Sequence, residues 1–255
     1  MNILSFESVT ITINDQSVCQ NLNLALDSQQ VLGILGRNGV GKSTLLYTIM
    51  GFHHPDSGSI SLLGSNIRKS PRSELARKLG ILFQESANAM PATVLETALL
   101  GRHPHSDNLL WDKPEDIELT REILQQLGLD DLEDRQVNSL SGGEKQRLSI
   151  ALLMNQAPQL YLLDEPSNHL DIDYQIKSLT LIRDKLRAGD AAMVMASHDI
   201  NLTARFCDRI LLLGEDGQFV CGPTSDVLNE ETLSQAYRCQ IRAVELDSRR
   251  YFFPA

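Results

Sequence analysis

The run Gly-Arg-Asn-Gly-Val-Gly-Lys-Ser at 36–43 constrains this chain more than any other stretch. It fits the spacing G-x-x-x-x-G-K-[ST], in which glycines let the backbone wrap phosphate oxygens and the lysine reaches a terminal phosphate. Its flanks agree with that reading. The compact apolar segment Val-Leu-Gly-Ile-Leu at 31–35 precedes it and a helical stretch at 42–50 follows, giving the strand, loop, helix order of an α/β core. A helix N-terminus directly after the loop adds unpaired N–H groups and a dipole that favours anions. Lys42 is placed against the β and γ phosphates and Ser43 against a metal ion.

Four more compact apolar segments follow, ending at Phe83, Leu163, Ser197 and near Leu213. With 31–35 they make five candidates for strands buried on both faces. Four of the five lead into a polar or glycine residue: Gly36, Gln84, Asp164 and His198. In a parallel sheet such ends converge on one crevice. Alternation at 3–6, 9–13 and 22–26 predicts short antiparallel strands with one wet face, and 59–63 predicts another strand. Between 84 and 160 the pattern turns helical, at 93–99, 114–127 and 145–155. Residues 170–187 form a further helix and 224–237 one or two short ones. The last dozen residues carry no signal. The expected fold is an α/β P-loop NTPase core with a mainly parallel sheet, an N-terminal antiparallel β subdomain and an inserted helical subdomain. One domain spans 1–255, with 1–84 and 157–255 as the nucleotide-binding core and 85–156 as the helical insertion.

Two further motifs carry chemistry. Leu-Tyr-Leu-Leu-Asp-Glu-Pro at 160–166 delivers Asp164 at the end of an apolar strand, suited to holding magnesium. The adjacent Glu165 is the better candidate to orient or deprotonate water, since general-base work needs a carboxylate free of the metal. Asn-Ser-Leu-Ser-Gly-Gly-Glu-Lys-Gln-Arg at 138–147 places Ser141, Gly142 and Gly143 before a helix. That arrangement makes either an anion-binding nest or an ordinary cap with Glu144 in the first turn.

The ordered set, with LSGGE and KQR lying between a phosphate loop and LLDEP, resembles the ATP-binding-cassette (ABC) ATPases over nearly the whole chain. The resemblance implies ATP and Mg2+ as cofactors and a head-to-tail pair of cassettes. Each ATP is then clamped between one chain's loop (Gly36, Arg37, Asn38, Gly39, Val40, Gly41, Lys42, Ser43 and Thr44) and Ser141, Gly142 and Gly143 of the other. It implies Gln84, with Ser43 and Asp164, near the metal; Gln84 and Lys42 join Glu165 and His198 in catalysis, His198 meeting the γ phosphate. Asp171 belongs to the loop coupling the two sites. The resemblance puts Ile13 where an aromatic ring stacks on adenine; Phe6 or a shift of register is the alternative source.

The chain has 255 residues and a formal charge of −10, which disfavours a nucleic-acid partner gripped by a basic face. The start of the chain reads as strand and not as a signal peptide, and no apolar run reaches 18 residues. Within the family, GRHPH at 101–105 and LLDEPSNHLDID at 162–173 resemble the subfamily importing iron siderophores, haem and cobalamin. That resemblance implies a homodimer beneath two transmembrane permease subunits, at the cytoplasmic face of the membrane, supplied indirectly by a substrate-binding protein. The coupling surface expected is 84–97, with Ala87, Met90, Pro91 and Val94 receiving a permease helix. An amphipathic core stripe explains the same apolar residues. His103, His105 and His169 form no convincing ligand array. The competing enzyme reading is a non-transport ABC ATPase, for example in iron-sulfur cluster assembly.

Overall fold

The computed structural model describes residues 1–84, 91–105, 113–247 and 249–255. The chain opens with strands β1 (Asn2–Ile13), β2 (Gln16–Asp27) and β3 (Val31–Leu35), then α1 (Lys42–Ile49), β4 (Ser57–Leu62) and β5 (Ser65–Asn66). Next come α2 (Arg72–Lys78), β6 (Leu79–Leu82), α3 (Val94–Leu99), α4 (Pro114–Gln126), α5 (Gly142–Gln156), β7 (Leu160–Asp164) and α6 (Ile172–Arg187). The remainder is β8 (Ala192–Ala196), α7 (Ile200–Phe206), β9 (Arg209–Leu213), β10 (Phe219–Pro223), α8 (Thr224–Val227), α9 (Glu230–Tyr237), β11 (Ile241–Leu246) and β12 (Arg249–Pro254). Contacts divide the chain into two compact units, 1–70 with 190–255, and 71–189.

In the first unit β1 pairs antiparallel with both β2 and β4, the pairing in which one face of a sheet commonly stays wet. The inward residues Ile3, Val9, Ile11, Leu22 and Leu26 are almost wholly buried. The β1–β2 turn is Asn14–Asp15, with φ of 48° and 64° and Ile13 opposite Gln16. Two left-handed residues in a two-residue loop match the twist of the strands they join, and Asn and Asp tolerate that region best. The second sheet of this unit has β3 parallel to β8 on one side and to β9 on the other, with β10 antiparallel to β9. Every residue of β3 and β8 is buried, which is why both read as continuous apolar runs. The last residues, silent in sequence, form the antiparallel hairpin β11–β12.

The second unit contains the parallel pair β6 and β7 and a set of helices. Buried Asn155 bolts three of them together: its Nδ2 donates to the Ala98 carbonyl at 2.9 Å and its Oδ1 accepts from the Thr120 hydroxyl at 3.3 Å. A buried amide left unpaired would cost more than the bonds return, so both ends are committed. The Arg102–Asp116 ion pair, 2.7 Å long and about four-fifths buried at both ends, closes the same region, with Arg102 also donating to the Asn155 carbonyl. The helical stretch expected at 85–156 lies within this unit. Helix α5 starts three residues earlier than its apolar periodicity suggests, because Ser141 caps it ahead of two glycines.

Candidate functional site

The loop 36–43 leaves the C-terminal end of β3 and enters α1, with Gly41 as the residue before the first helical turn. Gly41 has φ 107°, and a methyl group there would lie 2.6 Å from a Val18 methyl, so only glycine fits. Gly39, with φ 81°, faces open space. Lys42 is 7% exposed, and its ammonium group donates to the carbonyls of Gly36 at 3.0 Å and Arg37 at 3.4 Å. The loop thus curls around its own lysine and runs directly into the N-terminus of α1, an end of a helix that favours anions.

Beside this loop is an open cavity of about 620 Å³. Its walls are the loop itself from Arg37 to Gly41 with Thr44, the β1–β2 turn from Ile13 to Val18 with Gln20, and Leu213 to Asp216 with Ala236. Ile13 apart, the turn and the 213–216 wall are contributions that motif reading missed. The Gly-Glu-Asp turn ending the apolar run at 209–213 was the available signal. Glu215 in that wall pairs with Arg37 at 3.1 Å and with Arg238. Ile13 lines the cavity and is half-buried. Phe6 does not: it is 3% exposed inside the first sheet, facing Leu24 and Ile60, so it is not available to stack on a base.

His198 sits two residues beyond β8 and is exposed. Because β3 and β8 are adjacent and parallel, with Ile34 opposite Ala196, the strand ends bearing Gly36 and His198 are neighbours. Asp199 secures that turn, accepting from the Leu202 N–H at 2.9 Å as the cap of α7.

In the second unit the parallel pairing sets Leu82 opposite Leu163, so the ends bearing Gln84 and Asp164 are neighbours too. Gln84 is exposed; Asp164 is 1% and Glu165 6% exposed. Glu165 adopts φ 50°, a left-handed conformation that costs a non-glycine residue about 1–3 kcal/mol and concentrates at functional positions. The loop that follows is tied down. Gln146, buried on α5, donates to the Pro166 carbonyl at 3.3 Å, and Gln175 on α6 donates to Ser167 and Leu170 carbonyls at 3.2 and 2.9 Å. Asp171 is exposed at the start of α6.

Ser141 forms a complete capping box: its hydroxyl accepts from the Glu144 N–H at 3.3 Å and its own N–H donates to the Glu144 carboxylate at 2.7 Å. Those bonds, the backbone one first, hold the Glu144 carboxyl below its ordinary range. Ser141 and Gly142 remain exposed. Gly143 is half-buried, and a methyl group on it would lie 3.0 Å from the His169 carbonyl oxygen. Of the expected coupling residues, Ala87 and Met90 lie outside the described residues, and Pro91 is exposed. Val94 is a correction: it is 0% exposed in the first turn of α3, where a partner helix cannot reach it, and it serves the core stripe.

Residues 19–168 match the family model described as ABC transporter. The chain belongs to the ABC transporter family. It is an ABC ATPase, and its hydrolysis of ATP is coupled to transport. The ferric enterobactin transport ATP-binding protein of Escherichia coli is 32% identical, covering 92% of this chain and 88% of that protein. The hemin import ATP-binding protein of Gloeobacter violaceus is 34% identical, covering 93% and 88%. A solved ABC transporter assigned to the metal-chelate type, in an inward-facing conformation, has a TM-score of 0.85 and 28% identity, covering 100% of this chain and 98% of that one. Among the described residues no helix of this ABC ATPase is long and apolar enough to cross a membrane.

Proposed function

We propose that this chain is the ATP-hydrolysing subunit of an importer for an iron–siderophore, haem or cobalamin-type compound. It works as one of two identical cassettes on the cytoplasmic face of two separate permease subunits, which receive cargo from a binding protein. The observation that carries this reading is the likeness, over more than nine-tenths of the chain, to ferric enterobactin and hemin transport proteins. The glycine loop curled around Lys42 supplies the matching chemistry.

The residue roles of this reading rest on side-chain chemistry and on the family resemblance. Lys42 and the loop N–H groups, with Arg37, Asn38, Val40 and Thr44 around them, bind the triphosphate. Oxygen donors from Ser43, Gln84 and Asp164 suit a hard dication, and a bound magnesium ion would offset charge on the β and γ phosphates. Glu165, buried and locally strained, orients the attacking water and takes its proton. His198, at the strand end beside the loop, contacts the γ phosphate. Ser141, Gly142, Gly143 and Asp171 face the nucleotide site of the second cassette. The core comprises 1–84 and 157–255, and 85–156 is the subdomain that meets the permease.

Reconstitution tests the reading: the chain, its permease and its binding protein in proteoliposomes, offered a ferric siderophore, haem and cobalamin in turn. ATP-dependent entry of one of these, with stimulated phosphate release, is expected. A chain that hydrolyses ATP but binds no permease would contradict the importer.

A further inference from the structure

Helix α5 and the loop that follows β7 meet along one face of the helix. Gly142 and Gln146, four residues apart on α5, share that face. A methyl group on Gly142 would lie 3.7 Å from the His169 Cβ, and Gln146 donates its amide to the Pro166 carbonyl at 3.3 Å. Gln146 is held by that end only. It is 1% exposed, yet among the described residues nothing donates to its Oε1. Asn155 on the same helix, 0% exposed and bonded through both Nδ2 and Oδ1, shows what an amide committed to packing looks like. A stranded buried oxygen costs about what one neutral hydrogen bond returns, so Gln146 adds little to stability. What matters is the group its one bond fixes.

That bond lands one residue beyond Glu165. Glu165 is at φ 50° directly before a proline, and a proline favours extended backbone in the residue ahead of it. Such a conformation persists only where its surroundings over-determine it. The Glu165 carbonyl accepts from the Asn168 N–H at 3.2 Å, and Gln175 of α6 holds the Ser167 and Leu170 carbonyls. Pro166 has no N–H to offer, and its carbonyl is gripped by Gln146. Gln146 thus anchors, from α5, the residue on which the turn at Glu165 rests.

We propose that Gln146 is a positioning residue for Glu165: through the Pro166 carbonyl it sets the direction in which the Glu165 carboxylate meets the attacking water, and it makes that direction depend on where α5 lies. Ser141 caps the same helix and Gly142 opens it, so the end of α5 that faces the second cassette and the residue that steers the chain's own base move as one piece. Closure of the pair then reaches the base of each site through the first five residues of α5. The inference rests on the roles proposed above for Glu165 and for Ser141 to Gly143, and adds the residue that joins them.

The test is steady-state ATP hydrolysis and thermal unfolding of the wild type, Gln146→Met, Gln146→Leu, Glu165→Gln and the double variant Gln146→Met, Glu165→Gln. Both apolar replacements keep the bulk of the side chain and lose its donor. A kcat about 10- to 100-fold below wild type is expected from each, the scale of a reacting group misplaced by about 1 Å. KM for ATP should stay within about 2-fold, and the unfolding midpoint within about 4 °C, of wild type. In the double variant the residual rate of Glu165→Gln should fall by less than about 2-fold further, because the group that Gln146 aims is already disabled. A wild-type kcat, a change confined to KM, or a further loss of about 10-fold in the double variant would each overturn the inference while leaving Glu165 as the base. Failure of both apolar variants to fold would overturn it too, since Gln146 would then be a structural anchor. Wild-type turnover in a folded Glu165→Gln protein would instead contradict the reading on which the inference stands.

Discussion

The two ends of the cavity beside the phosphate loop are built from the same unit and to opposite standards. At the phosphate end Lys42 is held by two carbonyls, Gly41 lies too close to the Val18 methyls to carry a side chain, and the loop runs from the end of β3 into the start of α1. At the base end a hairpin tip of Asn14 and Asp15 and a half-buried Ile13 stand beside open space. Recognition free energy follows fixed donors and excluded water, so it concentrates where the charge is. On the proposed reading, the difference teaches that the cavity recognises a triphosphate first and a nucleoside second.

The largest effect that sharpens the contrast is expected from Lys42→Ala. Losing a charge-assisted bond to phosphate weakens binding about 10- to 150-fold, and to the same extent for ATP, GTP and CTP, as nucleotide titrations would show. A loss confined to ATP would break the comparison. Next is Gly41→Ala, which forces a left-handed φ on alanine and pushes a methyl into Val18. Destabilisation of about 2–4 kcal/mol is expected in denaturant unfolding. Gly39→Ala, with a left-handed φ but open space, should cost only about 1–2 kcal/mol. Equal costs at the two glycines would mean that backbone strain alone, and not contact with the β1–β2 hairpin, shapes the loop. The smallest effect is expected at the base end. Ile13→Ala should change nucleotide affinity less than about 5-fold, because it removes a contact much weaker than a stacked ring.

Outside the cavity, the capping box at the start of α5 offers a pH test of a different kind. The folded Glu144 carboxyl lies below its ordinary value of 4.5, so its contribution is present above that value. It is lost as pH falls through the lower folded value. Glu144 is largely exposed to screening solvent, so acid should fray the helix start without unfolding the unit, and Glu144→Gln should flatten that dependence below pH 4.5.

What could be read from the sequence tracks how strongly local composition commits the backbone. Strand β3 was legible to the residue, because a strand buried on both faces is an unbroken apolar run between glycine and polar breaks. The placement of Asp164 at a strand end, and of Gly36, Gln84 and His198 just beyond strand ends, followed from the same rule. The β11–β12 hairpin was not legible: Glu245, Arg249 and Arg250 interrupt its alternation, and its only core contributions are Ile241 and Phe252. Val94 shows the opposite failure. An apolar residue near a polar loop reads equally well as surface anchor or core, and only burial in the first turn of α3 decides it. The role of Asn155 was invisible because its two partners, Ala98 and Thr120, lie 57 and 35 residues away. Likewise the 213–216 wall of the cavity belongs to the far end of the chain and carries no phosphate motif of its own.

The most direct measurement is phosphate release from ATP by the wild-type chain and by Glu165→Gln, with bound nucleotide quantified in the same samples. The account predicts turnover by the wild type, a fall of about 10²- to 10⁴-fold in the variant, and retention of uncleaved ATP. Wild-type rates in a folded Glu165→Gln protein would contradict it.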